Sequence, residues 1–205
     1  MFLSRLAARF QVETLVYEFN GPLERQWFDY RSPEETLVPA CDLSVRRLFG
    51  HDEARSRKFL DFLRSGFFGY FLERGGQWIT YGWCTQPGAS APPHLPRWAG
   101  ELGAYWIFYC HTHEQFRGQG HFKRLLTRLV AEARQRTENA RVLCDTLPGN
   151  FASRCAALRT GFSPAGVLTT YRPMRGLIVG GSWRRDESHI PRLTAKPAAA
   201  GERVA

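Results

Sequence analysis

The chain has 205 residues, 43% of them hydrophobic and 14% aromatic, which is ample for one packed domain and excludes wholesale disorder. Lys and Arg total 28 against 19 Asp and Glu, giving +9, and only Lys58, Lys123 and Lys196 of the basic residues are lysine. Guanidinium forks match phosphate oxygens, so the excess raises the expectation of a phosphate-bearing partner, although a solvated arginine-rich surface has the same composition.

Residues 1–9 are interrupted by Arg5 and Arg9, which leaves no apolar stretch for a secretory signal. Residues 11–19 alternate and are β-rich. Asn20-Gly21-Pro22 is a turn signal, and Trp27-Phe28-Asp29-Tyr30 would supply the returning strand, so residues 1–40 read as an N-terminal extension built on a β-hairpin. Residues 42–48 read as another short strand. Asp52 caps a helix running to about residue 64, with Phe59, Leu60 and Leu63 as its stripe and Gly66 beyond its end. Residues 67–72 and 78–84 flank Glu73-Arg74-Gly75-Gly76 as a second hairpin.

Residues 87–97 hold four prolines and form a loop. Residues 104–110 are an uncharged apolar run, the pattern of a central strand covered on both faces. Phe122, Leu125, Leu126, Leu129, Val130 and Ala133 then fall on one helical stripe, predicting a helix over residues 121–136. Residues 141–146 are a strand, Asn150 opens a short helix that ends at Gly161, and residues 167–171 are a late strand, with residues 177–179 as one more. Residues 184–205 turn to Arg, Pro and Ala and read as a disordered tail, leaving residues 41–183 as the domain. Two strand–helix–strand crossovers in succession predict an α/β fold with a mixed, partly parallel central sheet flanked by helices.

Cys41, Cys84, Cys110, Cys144 and Cys155 form no C-x-x-C pair, and three of them follow a large apolar residue. They read as reduced core thiols, which suits a cytoplasmic protein, and no apolar run is long enough to span a membrane. Cys110, His111 and His113 with Cys144 or Cys155 match no common zinc spacing, so no metal is expected.

Between the apolar strand and the best helix stands Gln115-Phe116-Arg117-Gly118-Gln119-Gly120-His121. Two glycines at a strand-to-helix turn let the backbone approach a ligand, and the helix's first N–H groups and dipole suit a pyrophosphate. A Rossmann loop would need a third glycine where Lys123 stands. A P-loop would need Gly-Lys-Ser/Thr where Gly120-His121-Phe122 stands.

Arg117-Gly118-Gln119-Gly120-His121-Phe122 resembles the phosphate-gripping motif of the GNAT acyl-CoA-dependent N-acyltransferases. Asn150-x-x-Ser153, followed eight residues later by Gly161-Phe162, is similar to that family's second motif. The resemblance covers residues 42–172. It implies acyl-CoA, acetyl-CoA above all, as co-substrate. Backbone groups of Arg117, Gly118, Gln119, Gly120, His121 and Phe122 would hold the pyrophosphate, Thr112 at the strand end would pair with the pantetheine arm, and Asn150 and Ser153 would contact the same arm. It also implies transfer of the acyl group to an amine of a small molecule, sugar or peptide by direct attack.

The sequence departs from that pattern where Phe122 ends the motif, and where Ala157, Trp106 and Phe108 occupy the usual positions of the acid and base. His111 is a substitute base, His113 another, and Cys155 or Tyr171 a substitute acid. The alternative reading is an acyl-CoA-binding module without turnover. Nucleic acid is not an expected partner, since only the charge suggests it. Oligomeric state, monomer or homodimer, is left open.

Overall fold

In a computed structural model of the chain, the structure describes residues 10–22, 34–174 and 177–185. Strands β1 (Gln11–Phe19), β2 (Glu35–Pro39), β3 (Phe68–Arg74), β4 (Gln77–Cys84), β5 (Tyr105–Thr112), β6 (Val142–Thr146), β7 (Phe162–Tyr171) and β8 (Gly180–Arg184) form one sheet. Its order is β2-β3-β4-β5-β6-β1-β7-β8. Helices α1 (Asp42–Phe49), α2 (Glu53–Arg64), α3 (His121–Arg136) and α4 (Phe151–Thr160) cover it.

Every neighbouring pair is antiparallel except β5 and β6, which are parallel and joined across α3. β1 lies antiparallel between β6 and β7, so the β6–α4–β7 connection is a second crossover that spans one strand. The α/β architecture with a mixed, partly parallel sheet is therefore as expected. The place of β1 explains its sequence: Thr14, Leu15, Val16 and Tyr17 are all buried, as an interior strand covered on both faces requires.

Two core layers result. Under α3 and α4, Leu125, Leu129 and Val130 pack with Leu15, Tyr17, Ile107 and Cys144. Under α1 and α2, Val45, Phe49, Phe59 and Phe62 pack with Phe71, Trp83, Trp106 and Phe108. The second layer is strongly aromatic, with edge-to-face pairs such as Phe49–Phe59 at 4.9 Å and Phe62–Phe108 at 5.1 Å. Burial of one such side chain stabilises the fold by roughly 1.5–3 kcal/mol.

Residues 42–48, expected to be a strand, are helix α1. Its buried apolar residues are Val45, Leu48 and Phe49, spaced i, i+3 and i+4, while Leu43 is 76% exposed. The Ser44 hydroxyl accepts the Cys41 N–H at 2.9 Å, and Arg46 pairs with Asp42 one turn back at 3.0 Å. The last strand also differs from expectation. It is β8, three residues later than residues 177–179, and Leu177 makes only an isolated bridge to Met174. The expected returning strand at Trp27-Phe28-Asp29-Tyr30 and the tail beyond residue 185 lie outside the described residues.

Candidate functional site

The turn into α3 is shaped by backbone rather than by packing. Gly118 and Gly120 both have φ +81°, and a Cβ on either would meet nothing within 4 Å. Glycine stands there because the left-handed region is open to it at little cost. Gly120 caps α3, no side chain among the described residues caps its first N–H groups, and the first turn holds no acidic residue. The N-terminus of a sixteen-residue helix thus presents bare donors and the positive end of its dipole. Arg117 is half-exposed beside it, its Nε donating to the Thr112 carbonyl at 3.4 Å.

Beneath this turn lies a buried ion cluster that sequence reading missed. The Glu35 carboxylate on β2 is 3% exposed and accepts bonds from Arg74 and Arg124. His121 is buried, with Nδ1 at 3.7 Å from Glu35 and Nε2 at 3.2 Å from Gln119. Its side chain therefore lies between the cluster and the Gln119 side chain of the turn. Burial alone would raise the Glu35 carboxyl, but the two guanidinium bonds outweigh it and hold it below its usual value.

β5 and β6 pair only at residues 105–107 against 142–144 and then part. On its other side β5 carries a bulge: Tyr81 faces His111 and Trp83 faces Phe108, so Tyr109 and Cys110 together oppose Gly82. Tyr109 takes φ +48°, a conformation disfavoured for a bulky residue. A Cβ on Gly82 would lie 2.7 Å from Cys110 Sγ, so the bulge needs glycine there. The parted strands leave a cavity of about 180 Å³, lined by Tyr17, Phe108, Asp145, Phe122, Asn150 and Ser153 among others.

A sequence profile described as the Acetyltransferase (GNAT) family matches residues 24–162. The chain belongs to the GNAT acetyltransferase family. Its fold is similar to that of an acetyltransferase from the GNAT family of Colwellia psychrerythraea, with TM-score 0.55 and 18% identity over 78% of this chain and 56% of that one. It is also similar to a GCN5-related N-acetyltransferase-like protein from Streptococcus suis, with TM-score 0.58 and 14% identity over 89% of this chain and 66% of that one. The chain therefore spans 56% and 66% of the length of these two solved structures, and at such identities the likeness concerns the fold. No curated protein matches the sequence.

In this GNAT member the residues named from sequence divide into two groups. Phe122, Asn150 and Ser153 line the cavity, and Phe122, large for its motif position, is accommodated by packing against the core under α3. Asn150 Oδ1 is already engaged as the cap of α4, accepting the Ser153 N–H at 3.1 Å. His111, Cys155 and Tyr171 are not among the lining residues. His111 is exposed on the α1–α2 side beside Trp78 and Tyr81, and burial followed by the charges of Arg117 and Arg55 lowers its pKa. Cys155 is half-buried on α4, and Tyr171 is exposed at the end of β7.

Two residues lining this GNAT cavity, Tyr17 and Asp145, came from the structure alone. Tyr17 lines it, fully buried, with its hydroxyl oxygen accepting the Arg154 Nε–H at 3.2 Å. Burial pushes the Tyr17 phenol up, and Arg154 opposes that shift. Asp145 lines it too, with a side chain only 4% exposed; its Oδ1 accepts the Trp106 indole N–H at 2.8 Å and lies 2.9 Å from His94 Nε2. Burial would raise the Asp145 carboxyl, yet His94 and the Trp106 bond prevail and keep it below its usual value. The one available signal was Asp145 itself, an acid ending an apolar strand. Among the described residues no group of acidic, His and Cys side chains is placed to hold a metal ion. None of the described helices is long and apolar enough to cross a membrane.

Proposed function

We propose that this GNAT member transfers an acetyl or other acyl group from acyl-CoA to an amine of a small molecule, sugar or peptide, by direct attack on the thioester. The observation that carries this reading is the uncapped, glycine-framed N-terminus of α3 beside the cavity between the parted strands. A phosphate group suits bare helix N–H donors, and parted strands leave unpaired backbone for an extended amide-bearing arm. Backbone N–H groups from Arg117, Gly118, Gln119, Gly120, His121 and Phe122 hold the pyrophosphate. The β5 end at Thr112 pairs with the pantetheine arm, and Asn150 and Ser153 flank it from α4.

Direct attack is favoured over an acyl-enzyme because the thiols at the cavity are poor nucleophiles. Burial pushes Cys110 up to about 12 and Cys144 well above the ordinary thiol value, so neither forms thiolate at neutral pH. Tyr17, which faces the cavity as His111, Cys155 and Tyr171 do not, donates the proton to the departing CoA thiolate. Five free cysteines suit a reducing cytoplasm.

Titration calorimetry with acetyl-CoA on the wild type and on Gly120→Glu tests the phosphate site. A carboxylate at the helix N-terminus, on a residue with φ +81°, is expected to weaken binding at least about tenfold. Equal affinity in both proteins overturns the assignment. Thiol release from acetyl-CoA across a panel of primary amines separates turnover from mere binding.

A further inference from the structure

The gap between β5 and β6 joins two faces of the sheet that carry different chemistry. Tyr17 and Cys144 belong to the core layer under α3 and α4, whereas Trp106, Phe108 and Leu143 belong to the layer under α1 and α2. Residues from both layers line the same cavity. Asp145 follows Leu143 by two, so strand alternation puts it on the α1–α2 face, where Trp106 and His94 meet it.

His94 comes from the proline-rich loop between β4 and β5. Its ring stacks on Phe108, a cavity-lining residue, at 6.2 Å and 25°, and its Nε2 is engaged by Asp145, another one. Nδ1 is then the nitrogen without a hydrogen bond from any described residue. The side chain is 31% exposed against 4% for Asp145, so the imidazole has a route to water while its partner is shut away. His94 is not itself a lining residue, but it touches two that are, and an imidazole oriented by a buried carboxylate through its other nitrogen is the arrangement that moves protons in nucleophilic reactions. The loop is held in place, since Arg172 Nη2 donates to the His94 carbonyl at 2.8 Å and Trp98 Nε1 donates to the Gly181 carbonyl at 3.1 Å.

We propose that His94, positioned by Asp145, is the general base that takes the proton from the acceptor amine on the α1–α2 face of the gap. The proposal rests on the acyl-transfer reading. The amine lone pair attacks the thioester carbon, and the new C–N bond leaves the nitrogen positively charged. One N–H proton passes to His94 Nδ1, the C–S bond breaks, and the thiolate takes a proton from Tyr17. The resulting imidazolium is stabilised by the Asp145 carboxylate and returns its proton to solvent, while Tyr17 recovers one. Asp145 from β6 and Arg172 beyond β7 are the charged groups in contact with His94.

The test uses the full chain with acetyl-CoA and two acceptors, benzylamine and the weakly basic hydroxylamine, whose adduct sheds its proton to water readily. For benzylamine, with kcat/KM referred to the free-amine concentration at each pH, the wild type is expected to gain kcat/KM with rising pH along an acid limb. His94→Gln keeps a donor for Asp145 but no base. It is expected to lower kcat for benzylamine about 100-fold, abolish the acid limb, and change the acetyl-CoA Kd less than twofold. With hydroxylamine the loss is expected to be below about tenfold. Asp145→Asn is expected to move the limb to lower pH, and it carries the test should His94→Gln fail to fold. An unaltered limb in His94→Gln, equal losses with both acceptors, or a parallel loss of acetyl-CoA affinity overturns the proposal. Acetyl-CoA binding with no turnover of any amine by the wild type overturns the acyl-transfer reading itself, whereas turnover unaffected by His94→Gln overturns the dyad alone.

Discussion

Tyr17 is the side chain whose role depends most on its surroundings. Its oxygen accepts from Arg154, and among the described residues nothing accepts its own proton, which leaves that proton to the cavity. Because burial raises its pKa, the phenol stays protonated at neutral pH and is available as a donor. Tyr17→Phe is expected to lower kcat with acetyl-CoA by about 100-fold while leaving its Kd near the wild-type value. An acetyl thioester of a more acidic thiol needs no protonation on leaving, so Tyr17→Phe should turn it over nearly as fast as the wild type does. Stopped-flow thiol release with both thioesters checks this. Equal losses for both would remove Tyr17 from the chemistry. Nothing in the sequence marked this residue, since it lies in a strand read as part of an extension. Only the register of β1 on β6, which sets Tyr17 opposite Cys144, brings it to the gap.

The elements show why some readings survived folding and others did not. The stripe and glycine turn of α3 predicted residues 121–136, and the helix spans His121–Arg136. Its length lets a period of 3.6 show clearly, and the glycines before it require no tertiary partner. α1 has only eight residues, too few for a helical period to show clearly, and burial of Val45 and Phe49 against Phe71 and Trp83 settled it as helix. α4 is a third case, with caps at Asn150 and Gly161 marking both ends although it has almost no apolar stripe. Its stability leans on those caps. Asn150→Ala is expected to cost about 1 kcal/mol in urea denaturation, and Asn150→Asp, which still accepts the Ser153 N–H, should recover most of it. An acetyl-CoA Kd that changes in Asn150→Ala without any stability loss would instead assign the side chain to the pantetheine arm.

Four acids of the molecule sit in cages of basic side chains, three of guanidinium and one of imidazole. Glu18 with Arg141, Glu35 with Arg74 and Arg124, Glu132 with Arg128 and Arg136, and Asp145 with His94 all have carboxyls held below their usual values. Burial also lowers the His121 pKa from 6.5. The signs agree. A group with a lowered folded pKa contributes stability above its unfolded value and loses it as pH falls through the folded one. Stability is therefore expected to be flat from pH 8 to about 6.5, to dip slightly as the unfolded histidines take up protons, and to fall steeply below about 4.5. Urea midpoints across that range check it, and a midpoint that rises on acidification would contradict the pairing. These cages also change the meaning of the +9 charge. Arg74, Arg124, Arg128, Arg136 and Arg141 are engaged there by acids, so that part of the basic composition is structural rather than reserved for a ligand.

The division between chain and fold follows from the range of the forces involved. Helix periods, left-handed glycines and capping residues act within a few positions, so the glycine turn, α3, α4 and the central strand could be read along the chain. The GNAT motif consists of such features, and with it came the family and the turn proposed to bind phosphate. The order of strands depends instead on which apolar faces bury one another, and one strand's alternation does not say which neighbour it will meet. Insertion of β1 beside β6 brings in Tyr17, and the path of the loop after β4 brings His94 to Asp145, from a position 51 residues earlier in the chain. Tyr17 and Asp145 come to line one cavity, with His94 against its lining residues Phe108 and Asp145, only when the sheet closes around it.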